Sequence, residues 1–498
     1  MASEPRYDFG PLERRALLLG LSGPQVGVFA VTLGLVLTVM WSLAPPANVA
    51  VAFTLAAAAA AVCFVPVAGR SVEQWTPVVV RWAWRRASGR HRFHSCAPTS
   101  GHTSSGGLTV DLPDGLAGLS LFAAPGYSGD GEVGVVHDRR ADTYTGLLAV
   151  AGHAFALLES ADKQRLLGGW DDILRGFGGE ASPVHRLQWI ERTAPDDGDA
   201  LGRDLRDRVA VPLEAPSVRS YLQLVGDAGP VSTSHEVYLA VAITPRRAGR
   251  LLRQTGHTSK HAAAAAVLVD QLRLLEQRLL RADLTVAGPA LSPRMVARVL
   301  RLAVDPPART GMSRRTLHHP DTAGVDPANA WPIAADTTWR THRTDSGWHA
   351  TFWIAEWPRS PVGPDFFAGL LLSASTTRTV SVTMEPVAAG QAVREVEHAR
   401  TSELAEQQLR ESRGFLTSYR KAREQDAVNR RAAELQAGYA DFRFSGYVTV
   451  TAATDQRLDD ACAQVTHAAA QSGLELRRLT GQQDLAFTWT MPLCRGLR

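Results

Sequence analysis

From Ala16 to Gly69 the chain carries no Asp, Glu, Lys or Arg, while arginines crowd both ends of that stretch. A soluble fold of ordinary composition does not leave so long a segment uncharged, so the N-terminus is expected to tie the chain to a membrane. Ala44-Pro-Pro-Ala47 divides the stretch into two apolar runs, Gln25–Leu43 and Asn48–Val67. At about 1.5 Å of rise per residue, each run covers a hydrocarbon layer about 30 Å thick. A spanning segment must satisfy its own backbone hydrogen bonds, so the expectation is a two-helix transmembrane hairpin with a proline turn. The apolar part is too long, and too clearly double, for a cleaved signal peptide.

Orientation follows from the arginines. Arg6, Arg14 and Arg15 precede the hairpin, and Arg70, Arg81, Arg85, Arg86, Arg90 and Arg92 follow it. Cytoplasmic flanks collect Lys and Arg, so both ends of the chain are predicted on the cytoplasmic side of the inner membrane, with a multi-pass topology. Residues 71–90 mix Trp75, Trp82 and Trp84 with Arg81, Arg85 and Arg86. Together with Arg70, these residues predict a helix lying at the membrane interface, with rings at headgroup depth and guanidiniums near anionic lipid.

Of the 498 residues, roughly 400 follow the hairpin and its juxtamembrane segment, enough for two or three domains. The net charge of +4 is small for this length, and most juxtamembrane arginines belong beside lipid. That leaves no clustered basic face, so direct nucleic-acid contact is not expected. The scattered cysteines Cys63, Cys96, Cys462 and Cys494 imply no disulfide framework.

Periodicity organises the rest as an α+β chain. Residues 1–24 form a cytoplasmic segment, 25–67 the hairpin, 68–108 the interfacial helix and a linker, and 109–304 a first α+β region. A linker at 305–346 leads to a second α+β region at 347–498. In the first region, Glu132–Asp138 and Tyr144–Ala151 predict a strand hairpin turning at Arg139–Asp142, followed by a helix over Ser160–Phe177. Strands are expected at Val184–Arg192 and Glu236–Ile243, and helices at His261–Arg281 and Ser292–Leu302. In the second region the order is strand (Trp348–Glu356), short helix (Pro364–Leu372), strand (Arg378–Glu385), long helical arm (388–440), strand, helix, strand. That is a split βαβ, ferredoxin-like plan with a helical insertion. The arm is too polar to be core all round, so it either folds back near Gly414 or reaches out to a partner.

No catalytic signature emerges. A Walker loop needs Gly-rich backbone before Lys and Ser/Thr. The three lysines, Lys163, Lys260 and Lys421, stand in no such turn, so no ATPase motor is read here. Gly129-x-Gly131-x-x-Gly134 matches a dinucleotide fingerprint, but a strand is expected after it instead of a helix. His91, His94 and Cys96, or His318 and His319, lack the further ligands of a zinc site. No cofactor and no metal are expected. An alternative reading, a membrane-tethered hydrolase or transferase, has His137, Asp138, Glu191 and the linker histidines as its raw material. A third reading is an adaptor sensing membrane state through Arg81, Arg85 and Arg86.

Two stretches are more specific than composition. Gly438–Phe442 through YVTVTAATDQRLDDACAQVTHAAAQSGLELRRLTGQQDLAFTWTMPL ends on Gln483, Ala486, Phe487, Pro492 and Leu493. It resembles the end of the N-terminal domain of VirB-type ATPases of type IV secretion and conjugation. Val133–Arg192, closing on RLQWIER, resembles the start of the same domain. The membrane part, introduced by RYDFGPLERRALLLGLSGPQ, is similar to the PrgI family of small inner-membrane hairpin subunits. The resemblance implies a hairpin fused to the non-motor half of such an ATPase, as in actinobacterial conjugation-like membrane proteins. It implies a non-catalytic scaffold with a separate cytoplasmic P-loop ATPase, other inner-membrane secretion subunits and the lipid bilayer as partners, and a homo-oligomeric assembly. The motor's nucleotide-binding residues have no counterpart before Arg498.

Overall fold

The computed structural model of the chain describes residues 7, 9, 23–42, 47–67, 70–95, 111–127, 131–151, 155–179, 181–195, 211–212, 214–228, 233–312, 323–372, 376–411 and 419–497. The chain is mixed α+β and divides into two compact units, Leu12–His91 and Met1–Pro11 with Arg92–Arg498.

The smaller unit holds the two apolar helices, Gly23–Ser42 and Ala47–Phe64, each long and apolar enough to cross a membrane. They run antiparallel. Gln25 Nε2 near the start of the first donates to the Cys63 carbonyl near the end of the second at 3.1 Å, and Phe29 lies 6.2 Å from Phe64. The proline turn lies outside the described residues. A short pair, β1 (Pro66–Val67) and β2 (Arg70–Ser71), leads into the helix Val72–Ala87.

The larger unit is built on one 12-stranded sheet in which every pairing is antiparallel. Its strands are β3 (Arg92–His94), β4 (Leu119–Pro125), β5 (Glu132–Asp138), β6 (Thr143–Val150), β7 (Val184–Pro195), β8 (Thr233–Ile243), β9 (Ala334–Thr337), β10 (His342–Arg343), β11 (Trp348–Glu356), β12 (Thr377–Pro386), β13 (Phe442–Ala452) and β14 (Glu475–Arg478). The spatial order is β3-β9-β10-β11-β13-β12-β7-β8-β6-β5-β4, with β14 also paired to β11.

Read outward from the β7–β12 pair, the sheet is two copies of one plan. On one side the order is β7-β8-β6-β5, on the other β12-β13-β11-β10. In each half a hairpin (β5–β6, β10–β11) is followed by two strands inserted beyond it, then a long helix, Lys260–Arg281 or Asp455–Gln471. After that helix the chain returns to the hairpin's second strand. In the second half it does so as β14 on β11. In the first half Ala151 N, Ala287 N and Leu291 N donate to Thr285 O, Ala149 O and Leu147 O, each at 2.9 Å. A further helix follows each return, Pro293–Val304 and Gln483–Trp489.

The long helices share one face of the sheet. Leu268, Leu272 and Leu275 pack with Leu148, Val241 and Ile243, and Leu458, Val465 and Ala469 pack with Phe352, Val448 and Val450. A buried aliphatic side chain contributes roughly 1.5–3 kcal/mol, so these clusters dominate stability. The hairpin turn falls at Arg139–Asp142 as expected, with Asp142 at φ 50° and the Asp138 carboxylate accepting from Arg140 N at 2.9 Å.

Several expectations are corrected. The stretch at 305–346, read as a linker, contains β9 and β10, whose few residues are masked in sequence by Pro, Gly and Asp on either side. The stretch at 68–108 is not all helix and linker, since Arg92–His94 pairs with β9. The two α+β regions share one sheet, because β7 and β12 pair from Arg378↔Thr193 to Met384↔Leu187. The arm comprises the helices Ala389–Glu411 and Tyr419–Gln436, while Gly414 lies outside the described residues. Glu395, near the start of the first, meets Arg431, near the end of the second, at 3.6 Å, so the two run antiparallel at their base.

Candidate functional site

The seven residues predicted at a membrane interface fall on β2 and the helix that follows it. Arg70 is in β2, and Trp75, Arg81, Trp82, Trp84, Arg85 and Arg86 are on Val72–Ala87. Trp84 and Arg86 are exposed, Trp75, Arg81 and Trp82 half-buried, and Arg85 is buried, its Nη2 donating to the Arg90 carbonyl at 3.1 Å. Arg86 stands 5.8 Å over the Trp82 ring. Five of the seven therefore keep an amphipathic, partly uncovered position, and Arg85 closes the C-terminal turn.

The polar raw material of an enzyme is not brought together. Successive strand residues face opposite ways, which separates His137 from Asp138. His137 stacks on Tyr144 at 4.4 Å and meets His261 edge-on at 4.8 Å. Burial, and then the neighbouring His261, hold its pKa below the ordinary histidine value. Asp138 receives both Nε and Nη2 of Arg495, at 3.1 and 2.7 Å. Glu191 lies on β7, accepting from His235 Nδ1 at 2.8 Å, with burial pushing its carboxyl up. Thr233 Oγ1 sits 3.1 Å from His235 Nε2. His318, His319, Cys96 and Gly129 lie outside the described residues, and among the described residues no three His, Cys, Asp or Glu side chains converge as a metal site.

A different cluster does converge. Arg192 on β7 is the direct cross-strand neighbour of Glu236 on β8. Arg298, from the Pro293–Val304 helix, and Arg309, just beyond it, reach the same carboxylate. The approaches are Arg192 Nη1 3.4 Å, Arg298 Nη2 3.4 Å and Arg309 Nη2 3.7 Å. Burial pushes the Glu236 carboxyl up, but the three guanidiniums outweigh it and leave it below the ordinary value. Burial lowers Arg192, with Arg309 acting in the same direction against Glu236. Beside them Arg192, Ala194, Pro195, Pro306, Arg309, Thr310 and Thr377 line a cleft of about 150 Å³. No window of sequence marks this cluster, since its four charged members are brought together by strand register and by the return of a helix. The local signal is an acidic residue, Glu236, opening the apolar run of β8.

The second half buries polar groups of another kind. Thr344 Oγ1 donates its one proton to the Val304 carbonyl at 2.6 Å, so it accepts from His349 Nε2 at 2.7 Å. That fixes the tautomer and leaves Nδ1 to accept from Thr451 Oγ1 at 2.9 Å. Burial, and then His342, hold His349 well below the ordinary histidine pKa. Gln188, at the centre of the sheet, donates to Ser381 Oγ at 2.8 Å and to the Trp489 and Met491 carbonyls, both at 3.0 Å. Its own carbonyl accepts from Cys494 N at 2.7 Å. These groups are used up in holding the C-terminal segment across both halves.

No known protein-family model matches the chain, and no curated protein matches it.

Proposed function

We propose that the chain is a non-catalytic inner-membrane scaffold of a type IV secretion or conjugation-like apparatus, one that recruits and positions a separate cytoplasmic P-loop ATPase. The observation that carries this reading is that both flanks of the apolar helix pair belong to one folded unit. Tyr7 exchanges backbone hydrogen bonds with Val362 at 2.8 and 2.9 Å, and Phe9 stacks on Trp357 at 5.1 Å. On the other flank Arg92–His94 pairs with β9. A unit that holds both flanks lies on one side of a bilayer, so the intervening chain crosses an even number of times, as a hairpin does. The arginine bias then assigns that side to the cytoplasm. Trp41 and Phe53 leave 96% and 76% of their surface uncovered, which suits lipid contact.

The scaffold role rests on the resemblance to the non-motor domain of secretion ATPases and on the absence of a Walker loop from the 498 residues. The shared strand order supports reading each half as a ferredoxin-like split βαβ unit. His137, Asp138 and Glu191 are engaged with separate partners, which favours the scaffold over a tethered hydrolase or transferase. Purification from native membranes, followed by identification of bound proteins, tests the reading. A co-purifying Walker-loop ATPase is expected, along with other secretion subunits. ATP hydrolysis by the isolated chain, or recovery of the intact chain in the soluble fraction, would overturn it.

A further inference from the structure

We propose that the cleft beside Arg192 and Arg309 is a binding site for a phosphate-type oxyanion, a property that goes beyond the scaffold reading and does not depend on it. Three guanidiniums approach one carboxylate there, and among the described residues Glu236 is their shared acidic partner. None of the three contacts reaches the 2.7–2.9 Å of a charge-assisted hydrogen bond. Among the described residues the cluster thus sets three guanidiniums against one carboxylate, while Arg192 leaves only 9% of its side chain exposed. A buried cation without full compensation is costly, and an incoming oxyanion relieves that cost.

The cleft has the size and lining for one. Its volume of about 150 Å³ equals roughly five waters at ~30 Å³ each, enough for a tetrahedral anion with part of its hydration. Arginine presents planar paired donors that match phosphate oxygens, and threonine hydroxyls add single donors. Arg192, Arg309 and Thr377 supply both kinds on the wall. The place is also singular in the fold. Arg192 and Thr377 come from β7 and β12, the strands that join the two halves of the sheet. An anion held there bridges the halves, and binding is expected to stiffen their junction. The shared chemistry is a phosphate group, from either soluble phosphate or a phosphomonoester lipid headgroup.

The test uses the full-length protein in phosphatidylcholine nanodiscs, with thermal unfolding followed as chloride is replaced by inorganic phosphate at constant ionic strength. Wild type is expected to show a saturable rise in midpoint, and Arg309→Ala a phosphate response at least tenfold weaker. Glu236→Gln removes the competing carboxylate, so its response is expected to be tighter than wild type. If Arg309→Ala does not fold, Arg309→Gln keeps much of the side chain's length and takes its place. A second arm compares nanodiscs with and without phosphatidic acid in phosphate-free buffer. A rise that disappears in the Arg309 variant assigns the group to a lipid headgroup, and a rise with inorganic phosphate alone assigns it to the soluble anion. Equal responses to chloride and phosphate with no lipid effect, equal responses in wild type and the Arg309 variant, or a weaker response in Glu236→Gln overturn the proposal.

Discussion

In the first half of the sheet the helix Pro293–Val304 lays Val296, Ala297 and Leu300 against Leu147, Ile190 and Ala240, so that face is closed by aliphatic packing. In the second half the corresponding helix is Gln483–Trp489, and much of the face beneath it is polar. Gln483 accepts from Thr351 N at 2.8 Å and donates to Thr351 O and Leu479 O at 3.1 and 3.0 Å. Thr351, Thr449 and Thr490 then continue as a hydroxyl chain at 2.8 and 2.7 Å. One topology thus tolerates two kinds of buried layer. Apolar packing is non-directional and accepts small shifts, whereas a hydrogen-bonded layer is satisfied in one register only. The second half is the more tightly specified of the two, and the first the more strongly driven by burial.

The largest effect that sharpens this contrast is a cavity in the aliphatic layer. Leu300 is fully buried, and Leu300→Ala is expected to destabilise by about 2–5 kcal/mol, read as a lowered thermal midpoint in detergent. Gln483→Ala, on the corresponding helix of the other half, is expected to cost about 1–3 kcal/mol. Its hydrogen-exchange signature differs too, with faster exchange confined to β11 and the C-terminal turn. Uniform loosening of both halves by either variant would break the comparison. Gln188→Leu probes the link between halves. It strands the Cys494 N–H and two carbonyls, and exchange is expected to rise through residues 489–497 while the two helix-covered clusters stay protected.

A pH effect separates the halves further. His349 is held well below the ordinary histidine value by burial, so below about pH 6.5 the unfolded chain binds a proton that the folded chain refuses. Stability is therefore lost as pH falls through about 6.5, and continues to fall until the folded pKa is reached. His137 is shifted in the same direction, but its cluster opens on the exposed His261. His349→Gln is expected to flatten most of the decline between about pH 7.5 and 5.5, and His137→Gln a smaller part. An unchanged slope in both variants would remove histidine as its source.

How much of this is legible in residues alone depends on range. The uncharged run, the Arg139–Asp142 turn and the helices under Leu272 and Val465 are local patterns, legible in sequence to within a few residues. The strand at Leu119–Pro125 escaped notice because Gly and Pro crowd its flanks. The shared plan of the two halves left no trace, since the helix after the return is apolar where it carries Val296 and Leu300 and polar where it opens on Gln483. Register between β7 and β12 joins residues nearly two hundred positions apart, which no window detects. The guanidinium cluster failed to show for the same reason, as its members come from β7, β8 and the end of a helix.

The smallest expected effect concerns the arm, the helical insertion between β12 and β13. Its base is tied by Glu395 to Arg443, by Arg431 to Glu395 at 3.6 Å, and by Arg431 to Asp441 at 2.6 Å. The Glu395 side chain is 31% exposed and Arg431 is 25% exposed, so water and salt screen the pair. Glu395→Gln is accordingly expected to cost less than about 1 kcal/mol, and less still at high salt. The informative measurement is local: exchange in residues 389–400 and 425–436 at low and high ionic strength. If the ion pairs hold the arm's base, the variant at low salt matches wild type at high salt. If both exchange alike at every salt concentration, the base is held instead by the buried Ala392 and Val396, and the insertion is anchored by the same aliphatic packing that closes the first half.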